Sequence, residues 1–344
     1  MTSSEIVADV ASAVTLAEGE PGVLDVVHAV ARLGPASIRA VATKTELPVP
    51  IVSAICNELR RRGVVEPEPP VRLTPRGLDL FGDVNGRTRF TATCRHCRGA
   101  GIALPRSLAG VVQELRRLAD TAPRARVELD QCHCTAETKV RRALAMYEAG
   151  ALAGRQILFL GDDDLTSVAL RLVAERLGRP AALRGIVIVD VDAAVVSFVA
   201  GVLAGSRFAV DAIVHDLRDP LPGELVGVAD TVFTDPPYTN AGAELFLSRA
   251  AEAFDGRAGR DVFLAFGARR PADALAVQRS IAGMGFVLRR LLPNFNEYVG
   301  AGVRGGTSHL YQLRTTSELR PLVAGRYAGG LYTGDRPIAQ VSSR

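Results

Sequence analysis

The segment Gln156–Ser167, QILFLGDDDLTS, decides how the chain is read. Four apolar residues, Ile157 to Leu160, run into Gly161 and three consecutive aspartates, and from Leu165 to Val173 apolar residues recur with helical spacing. That succession predicts a buried parallel strand, a tight turn and a helix. In open α/β sheets such turns lie at the carboxyl ends of the strands, where ligands bind. A turn that cradles phosphate or carboxylate uses glycines and backbone N–H groups at the helix start, whereas Asp162, Asp163 and Asp164 repel an anion. The turn is suited to a cation. One acidic residue is enough to cap the following helix. Three adjacent carboxylates repel one another and raise each other's pKa, so a functional acidic turn is expected in addition to a cap.

Working outward, GIVIVDVD (185–192), residues 211–215, TVFTDPPYT (231–239) and DVFLAFG (261–267) read as further strands. Helical patterns at 193–203, 242–254 and 273–284 alternate with them, and GFVLRRLLP and SHLYQLR form a last strand pair around NFNEYVGAGVRGG. The pattern predicts an α/β domain over 151–318, a doubly wound, Rossmann-like sheet of the methyltransferase type. Residues 319–344 read as a mobile tail.

Ahead of this domain, residues 1–86 read as an N-terminal helix and a winged-helix domain. A first helix (3–17) is broken at Gly19–Gly22, helices follow at 23–33, 37–44 and 49–62, and VVEPEPPVRLTPRG forms a Pro-bearing hairpin. Asn57, Arg60, Arg61 and Arg62 would form the DNA-reading face of the third helix. Glu66 and Glu68 in the wing oppose that use, so a packing or dimerising module is favoured, with a homodimer expected and nucleic acid not. Residues 87–150 form a cysteine-knuckle linker and helix. Cys94 and Cys97, spaced CxxC, together with Cys132 and Cys134, predict a structural zinc site, in which His96 or His133 can replace a thiolate; a redox pair is the alternative. Helices are expected at 108–120 and, capped by Thr135, at 135–150.

Composition sets outer bounds. With 344 residues, 48% hydrophobic and 23% charged, the chain has the make-up of a globular protein of two or three domains. A net charge of +4 neither demands nor excludes a polyanionic partner. The N-terminal stretch lacks the basic and apolar blocks of a secretion signal, and no apolar run reaches membrane-spanning length, so a cytoplasmic protein without a membrane partner is expected.

The strand ends supply the remaining site residues. Asp190, with Asp192 as the alternative, is placed to accept ribose hydroxyls of an adenosine ligand. Asp216, beside His215 and Leu217, is placed for the adenine amino group. Asp235, Pro236, Pro237 and Tyr238 form a stiff turn that can accept protons from a substrate amine and pack on it, or else serve only as a rigid strand exit.

GDDDLTS, VDVD, HDLRDPLP, FTDPPYT, FNEY and TSHLYQL, in this order behind a winged helix and a CxxC knuckle, resemble the branched-chain polyamine synthase family, the N4-bis(aminopropyl)spermidine synthases. The resemblance covers about Val23 to Leu313, and the C-terminal tail and the CHC pair are not assumed to follow it. It implies an aminopropyltransferase that uses decarboxylated S-adenosylmethionine as co-substrate and the secondary amine of spermidine as acceptor. The family's acidic turn corresponds here to Gly161, Asp162, Asp163 and Asp164. The chemistry agrees, because these aspartates disfavour a donor carrying an α-carboxylate and attract one that keeps only its amine. The attacking amine must lose a proton, for which Asp162, Asp164 and Asp235 are the candidates. Gly161 and Asp163 fall on the donor side. Glu297 is the expected binder of a distal ammonium, with Tyr298 stacking on it. The competing readings are a nucleic-acid amino-methyltransferase using S-adenosylmethionine and a regulator that senses a nucleotide or polyamine.

Overall fold

The computed structural model describes residues 1–81, 94, 97, 99, 101–177, 183–267, 271–300 and 306–335. His96 and most of the expected cysteine knuckle, residues 301–305 and the final stretch 336–344 lie outside them. The chain divides into two compact units, one built mainly from Met1–Thr93 and one from most of the remainder.

In the first unit, α1 (Ser3–Ala13) begins with a reciprocal cap between Thr2 and Glu5. Helix α2 (Gly19–Leu33) follows. Gly19–Gly22 therefore starts a helix, where the sequence suggested a break. The reversal falls before it, with Thr15 and Gly19 at φ 49 and +61. Gly22 is buried because a Cβ there would stand 2.8 Å from the Glu18 Cβ and 2.9 Å from Leu16. Ser37 caps α3 (Ile38–Thr45), and α4 (Val49–Arg61) starts after Pro48. Antiparallel bridges join Val65 to Leu73 and Ala36 to Val71. The TPRG stretch, read as part of the hairpin, instead opens α5 (Pro75–Phe81), with Thr74 accepting from the Gly77 N–H at 3.0 Å. Ile6, Val10, Val27, Val52, Ile55, Leu59 and Val65 fill the core.

The second unit is organised on a seven-stranded sheet in the order β3-β2-β1-β4-β5-β7-β6. Its strands are β1 (Gln156–Leu160), β2 (Gly185–Asp190), β3 (Ala209–Val214), β4 (Thr231–Thr234), β5 (Asp261–Phe266), β6 (Phe286–Glu297) and β7 (Thr307–Thr315). Strands β1 to β5 pair in parallel and β7 runs antiparallel to β5. Alternate residues of the strands feed two cores. Ile157, Phe159, Ile186 and Phe233 pack under α6 (Ala109–Thr121), α7 (Ala136–Glu148), α8 (Thr166–Arg176) and α9 (Ala193–Leu203). Leu158, Leu160, Val232 and Leu264 pack under α10 (Asn240–Phe254) and α11 (Pro271–Gly283). Helices on both faces of a mostly parallel sheet make this a Rossmann-like α/β fold.

Three readings need correction. Helices α6 and α7 are layers of the α/β unit rather than part of a separate linker, since Leu115, Val140, Ala143 and Met146 share a core with β1. Strand β4 stops at Thr234, so Asp235–Tyr238 form a turn beyond it. Residues 319–335, read as a mobile tail, are fastened to the unit: Tyr327 N–H donates to the Arg218 carbonyl at 2.7 Å, and Thr239 Oγ1 donates to the Leu331 carbonyl at 2.8 Å. Leu331 itself is 2% exposed in the second core. No helix among the described residues is long and apolar enough to cross a membrane.

The packing of Leu331 generates a prediction. Leu331→Ala should cost about 2–5 kcal/mol of stability in a denaturant titration. A mobile tail would leave the midpoint unchanged.

Candidate active site

The strand registers gather the acidic residues. Leu160 of β1 pairs with Val189 of β2 on one side and Thr234 of β4 on the other, and Asp190 pairs with Val214 of β3. The turn after β1, Asp190 itself, Asp216 just past β3 and Asp235 just past β4 therefore meet at one edge, where the strand order reverses. A cleft opens there. Asp130, Asp163, Asp190, Asp216 and Asp235 line it with Gly161, Leu217, Pro237 and Tyr332, and no lysine or arginine is among its lining residues. Gly161 is needed for its backbone, at φ +76, since the nearest atom to a Cβ there would be a Phe246 carbon 3.8 Å away.

The three turn aspartates have separate tasks. Asp162 is buried and caps α8, accepting from the Ser167 N–H at 3.1 Å and from its hydroxyl. Asp164 is buried and accepts from the Cys134 N–H and from Arg142 Nη1, the latter at 2.9 Å. Of the three, only Asp163 lines the cleft.

Arg142, fully buried on α7, organises this centre. Its Nη1 donates to Asp164 and, at 3.2 Å, to Thr166; its Nη2 donates to Asp235 at 2.7 Å and to the Tyr298 hydroxyl at 3.0 Å; its Nε donates to Asn296 at 2.8 Å. The guanidinium also lies 5.1 Å from the Phe233 ring centre. Lys139, one turn earlier on the same helix, is 1% exposed.

These surroundings separate the carboxyl groups electrostatically. Burial would raise Asp164, but Arg142 and Lys139 outweigh it and hold the group below the ordinary carboxylate range. Burial, then the neighbouring Asp164, Asp190 and Asp235, pushes Asp163 well above that range. Burial raises Asp162 to about 7, against the opposing Ser167 bonds, and raises Asp235 to about 6, against the opposing Arg142. Asp190 is also raised by burial.

Other expected site residues are distributed as follows. Asp190 reaches the cleft while accepting from the Asp162 and Asp192 N–H groups at 3.0 and 2.8 Å. Asp192 instead caps α9 through the Ala194 N–H. Asp216 and Leu217 line the cleft, with Arg218 Nε 2.9 Å from the Asp216 carboxylate. Pro236 and Pro237 are buried, and Pro237 lines the cleft. Tyr238 packs edge-on against Phe266 and Tyr298, and its hydroxyl donates to the Tyr298 hydroxyl at 2.6 Å. The Tyr298 hydroxyl in turn donates to Asp235 at 2.7 Å, so the two tyrosines brace the acidic centre from behind.

Glu297 does not belong to the cleft. Its side chain is 54% exposed and lies 3.6 Å from Arg141, because β6 alternates and turns position 297 away from its buried neighbour Asn296. The expected four-cysteine zinc site is not seen gathered among the described residues, and His96 lies outside them. Among the described residues no three His, Cys, Asp or Glu side chains gather to hold a metal ion. Cys134 is buried, and burial pushes its thiol well above the ordinary range.

Sequence reasoning missed Arg142, Asn296, Asp130, Gln131 and the 331–332 stretch. A signal existed for Arg142. At helical spacing it shares a face with Lys139, Ala143 and Met146, and Lys139 is one of only two lysines in the chain. Leu331 sits in YAGGLYTGD, where no periodicity distinguishes it.

Fold and cleft define a Rossmann-like enzyme whose ligand side is acidic. Residues 110–318 match the model of the branched-chain polyamine synthase A C-terminal domain. An N(4)-bis(aminopropyl)spermidine synthase of Methanocaldococcus jannaschii is 30% identical over 266 residues, covering 75% of this chain and 72% of that protein. An uncharacterized protein of the same organism is 35% identical over 315 residues, 89% of this chain and 76% of its own length. The crystal structure of the Thermus thermophilus branched-chain polyamine synthase, in complex with N4-aminopropylspermidine and 5'-methylthioadenosine, aligns with a TM-score of 0.75 and 23% identity over 96% of this chain and 98% of that one. The chain belongs to the branched-chain polyamine synthase family and is an aminopropyltransferase by class.

Asp162 offers a test of these electrostatics. A carboxyl raised in the folded state contributes stability below its unfolded pKa and loses it as pH rises through the folded one. Its window runs from about 4 to about 7. Asp162→Asn should therefore melt increasingly higher relative to the parent as pH rises across that window, whereas a constant difference would show that Asp162 titrates normally.

Proposed function

We propose that this chain transfers aminopropyl groups from decarboxylated S-adenosylmethionine to the secondary amine of spermidine. One observation carries the reading: the cleft is lined by five aspartates, with no lysine or arginine among its lining residues. Both reactants are cations. A donor retaining its α-carboxylate would meet like charge there, and two like charges 4 Å apart cost about 4 kcal/mol at an effective dielectric of about 20. The methylthioadenosine held by the Thermus protein is the product that such a donor leaves.

In this reading Asp190 and Asp216 take the nucleoside and Asp163 faces the attacking amine. The amine nitrogen bonds to the propyl carbon, the carbon–sulfur bond breaks, and sulfur keeps the electron pair as methylthioadenosine. The amine proton passes to Asp163. Without ligand, the raised Asp163 holds a proton; an incoming ammonium favours its ionised form and prepares it to act as base. Asp162 and Asp164, nominated as bases from sequence, are occupied as a helix cap and as the partner of Arg142. Asp235 contributes charge from a position fixed by Arg142 and Tyr298.

The nucleic-acid methyltransferase reading loses support on the same observations. Phosphates would be repelled by the aspartates that line the cleft. The N-terminal unit, read as a winged helix, is unsuited to DNA as well. Arg62 is paired with Asp9 at 2.7 Å and with Glu58, and Arg60 donates to the Glu66 carbonyl at 3.1 Å and to Asn57 at 2.7 Å.

Incubation with either donor and spermidine, read by mass, tests the proposal. Aminopropyl additions are expected with the decarboxylated donor, and Asp163→Asn should lower kcat by about 10² to 10⁴. Methyl additions, or no product with any donor, would overturn it. Because the uncharacterized relative is more similar than the synthase of the same organism, the acceptors tried should include longer linear polyamines.

A further inference from the structure

We propose that Arg249, on α10, is a positioning residue that fixes the nucleoside wall of the cleft; the inference rests on the nucleoside reading of Asp216 and Leu217 given above. Arg249 is fully buried and touches no substrate-facing carboxylate. Its Nε donates to the Leu217 carbonyl at 2.8 Å and its Nη2 to the Arg218 carbonyl at 3.1 Å, both in the loop that carries Asp216. The same guanidinium reaches the C-terminal segment, donating to the Val323 carbonyl at 3.2 Å and the Gly325 carbonyl at 2.8 Å. That segment continues to Leu331 and Tyr332, which line the same cleft as His215, Asp216 and Leu217 of the loop.

Glu252, one turn later on α10, completes the device. It accepts from Arg249 Nη1 at 2.6 Å and from the Leu221 N–H at 3.0 Å, so the far end of the same loop is held too. A planar fork of five N–H donors meets four carbonyls from two segments at once. Lysine, with three donors on one point, cannot reproduce that geometry. Arg249 sits 14 residues beyond the catalytic-side turn at Asp235, on the helix which that turn starts, so the one helix links the reacting side of the cleft to the nucleoside side.

The test uses the full chain with 5'-methylthioadenosine and spermidine as separate calorimetric probes. Arg249→Lys should weaken methylthioadenosine binding by about tenfold or more while spermidine binding stays within about twofold. Saturating donor should restore most of kcat, giving a donor KM effect. Glu252→Ala, which keeps the arginine, should act in the same direction and more weakly. Hydrogen exchange needs no ligand: residues 215–221 and 323–332 should both exchange faster in either variant. Equal loss of both ligands, or unchanged nucleoside affinity in a folded variant, would overturn the inference. A parent chain that binds no methylthioadenosine, yet shows the paired exchange in its variants, would instead overturn the functional reading and leave the staple standing.

Discussion

A single buried guanidinium between two carboxylates governs the active centre. Arg142 reaches Asp164 at 2.9 Å and Asp235 at 2.7 Å from α7. Removing one partner of such a buried pair typically costs about 3–5 kcal/mol, because an uncompensated charge is left behind. The pairing also differentiates three aspartates that are identical in sequence. Asp164 is held ionised, Asp162 is diverted to the cap of α8, and Asp163 is left facing the cleft with its carboxyl raised. Arg142 lies outside the cleft lining, so the cation that pairs Asp164 and Asp235 is not among the residues that line the cleft. A cluster of carboxylates can thereby exist in the folded protein and still present negative charge to a polycation.

The tyrosines and the sheet serve the same centre. Tyr298 bonds both Asp235 and Arg142, and Tyr238 bonds Tyr298, so the turn after β4 is fixed through side chains from β6 and its continuation. Tyr238 and Tyr298, expected to contact substrate, have their hydroxyls bonded to one another and, through Tyr298, to Asp235. Carboxylates held this way need little reorganisation when a cation arrives, which is the condition under which electrostatic stabilisation is strongest.

Much of the fold was legible because its signals are local. The apolar run 157–160 before a glycine, the alternation of strands and helices, and the acidic strand ends follow from burial on both faces of a parallel sheet. Cap residues were equally visible, as Ser37 and Thr135 show. The site was legible as a set of aspartates but not as a division of labour. Which aspartate faces the cleft depends on φ 55 at Leu165 and on Arg142, which is 22 residues earlier in the chain than Asp164. Pattern reading assigns arginines on an amphipathic helix to solvent, and Arg142, fully buried, does not follow it. Glu297 failed for a related reason, since in a strand a shift of one residue reverses the side chain's face. The packing of 319–335 has no periodic signature, because backbone carbonyls received by Arg249 and Thr239 hold it.

The separation of the turn aspartates is the central claim, and a carboxyl-carbon NMR titration of selectively labelled chain measures it directly. Without ligand, Asp164 should remain ionised to below the ordinary carboxylate range while Asp163 keeps its proton well above it, and added spermidine should displace that proton. If Asp162, Asp163 and Asp164 all ionise together in the ordinary range, Arg142 does not divide them, and the account of the acidic turn is wrong.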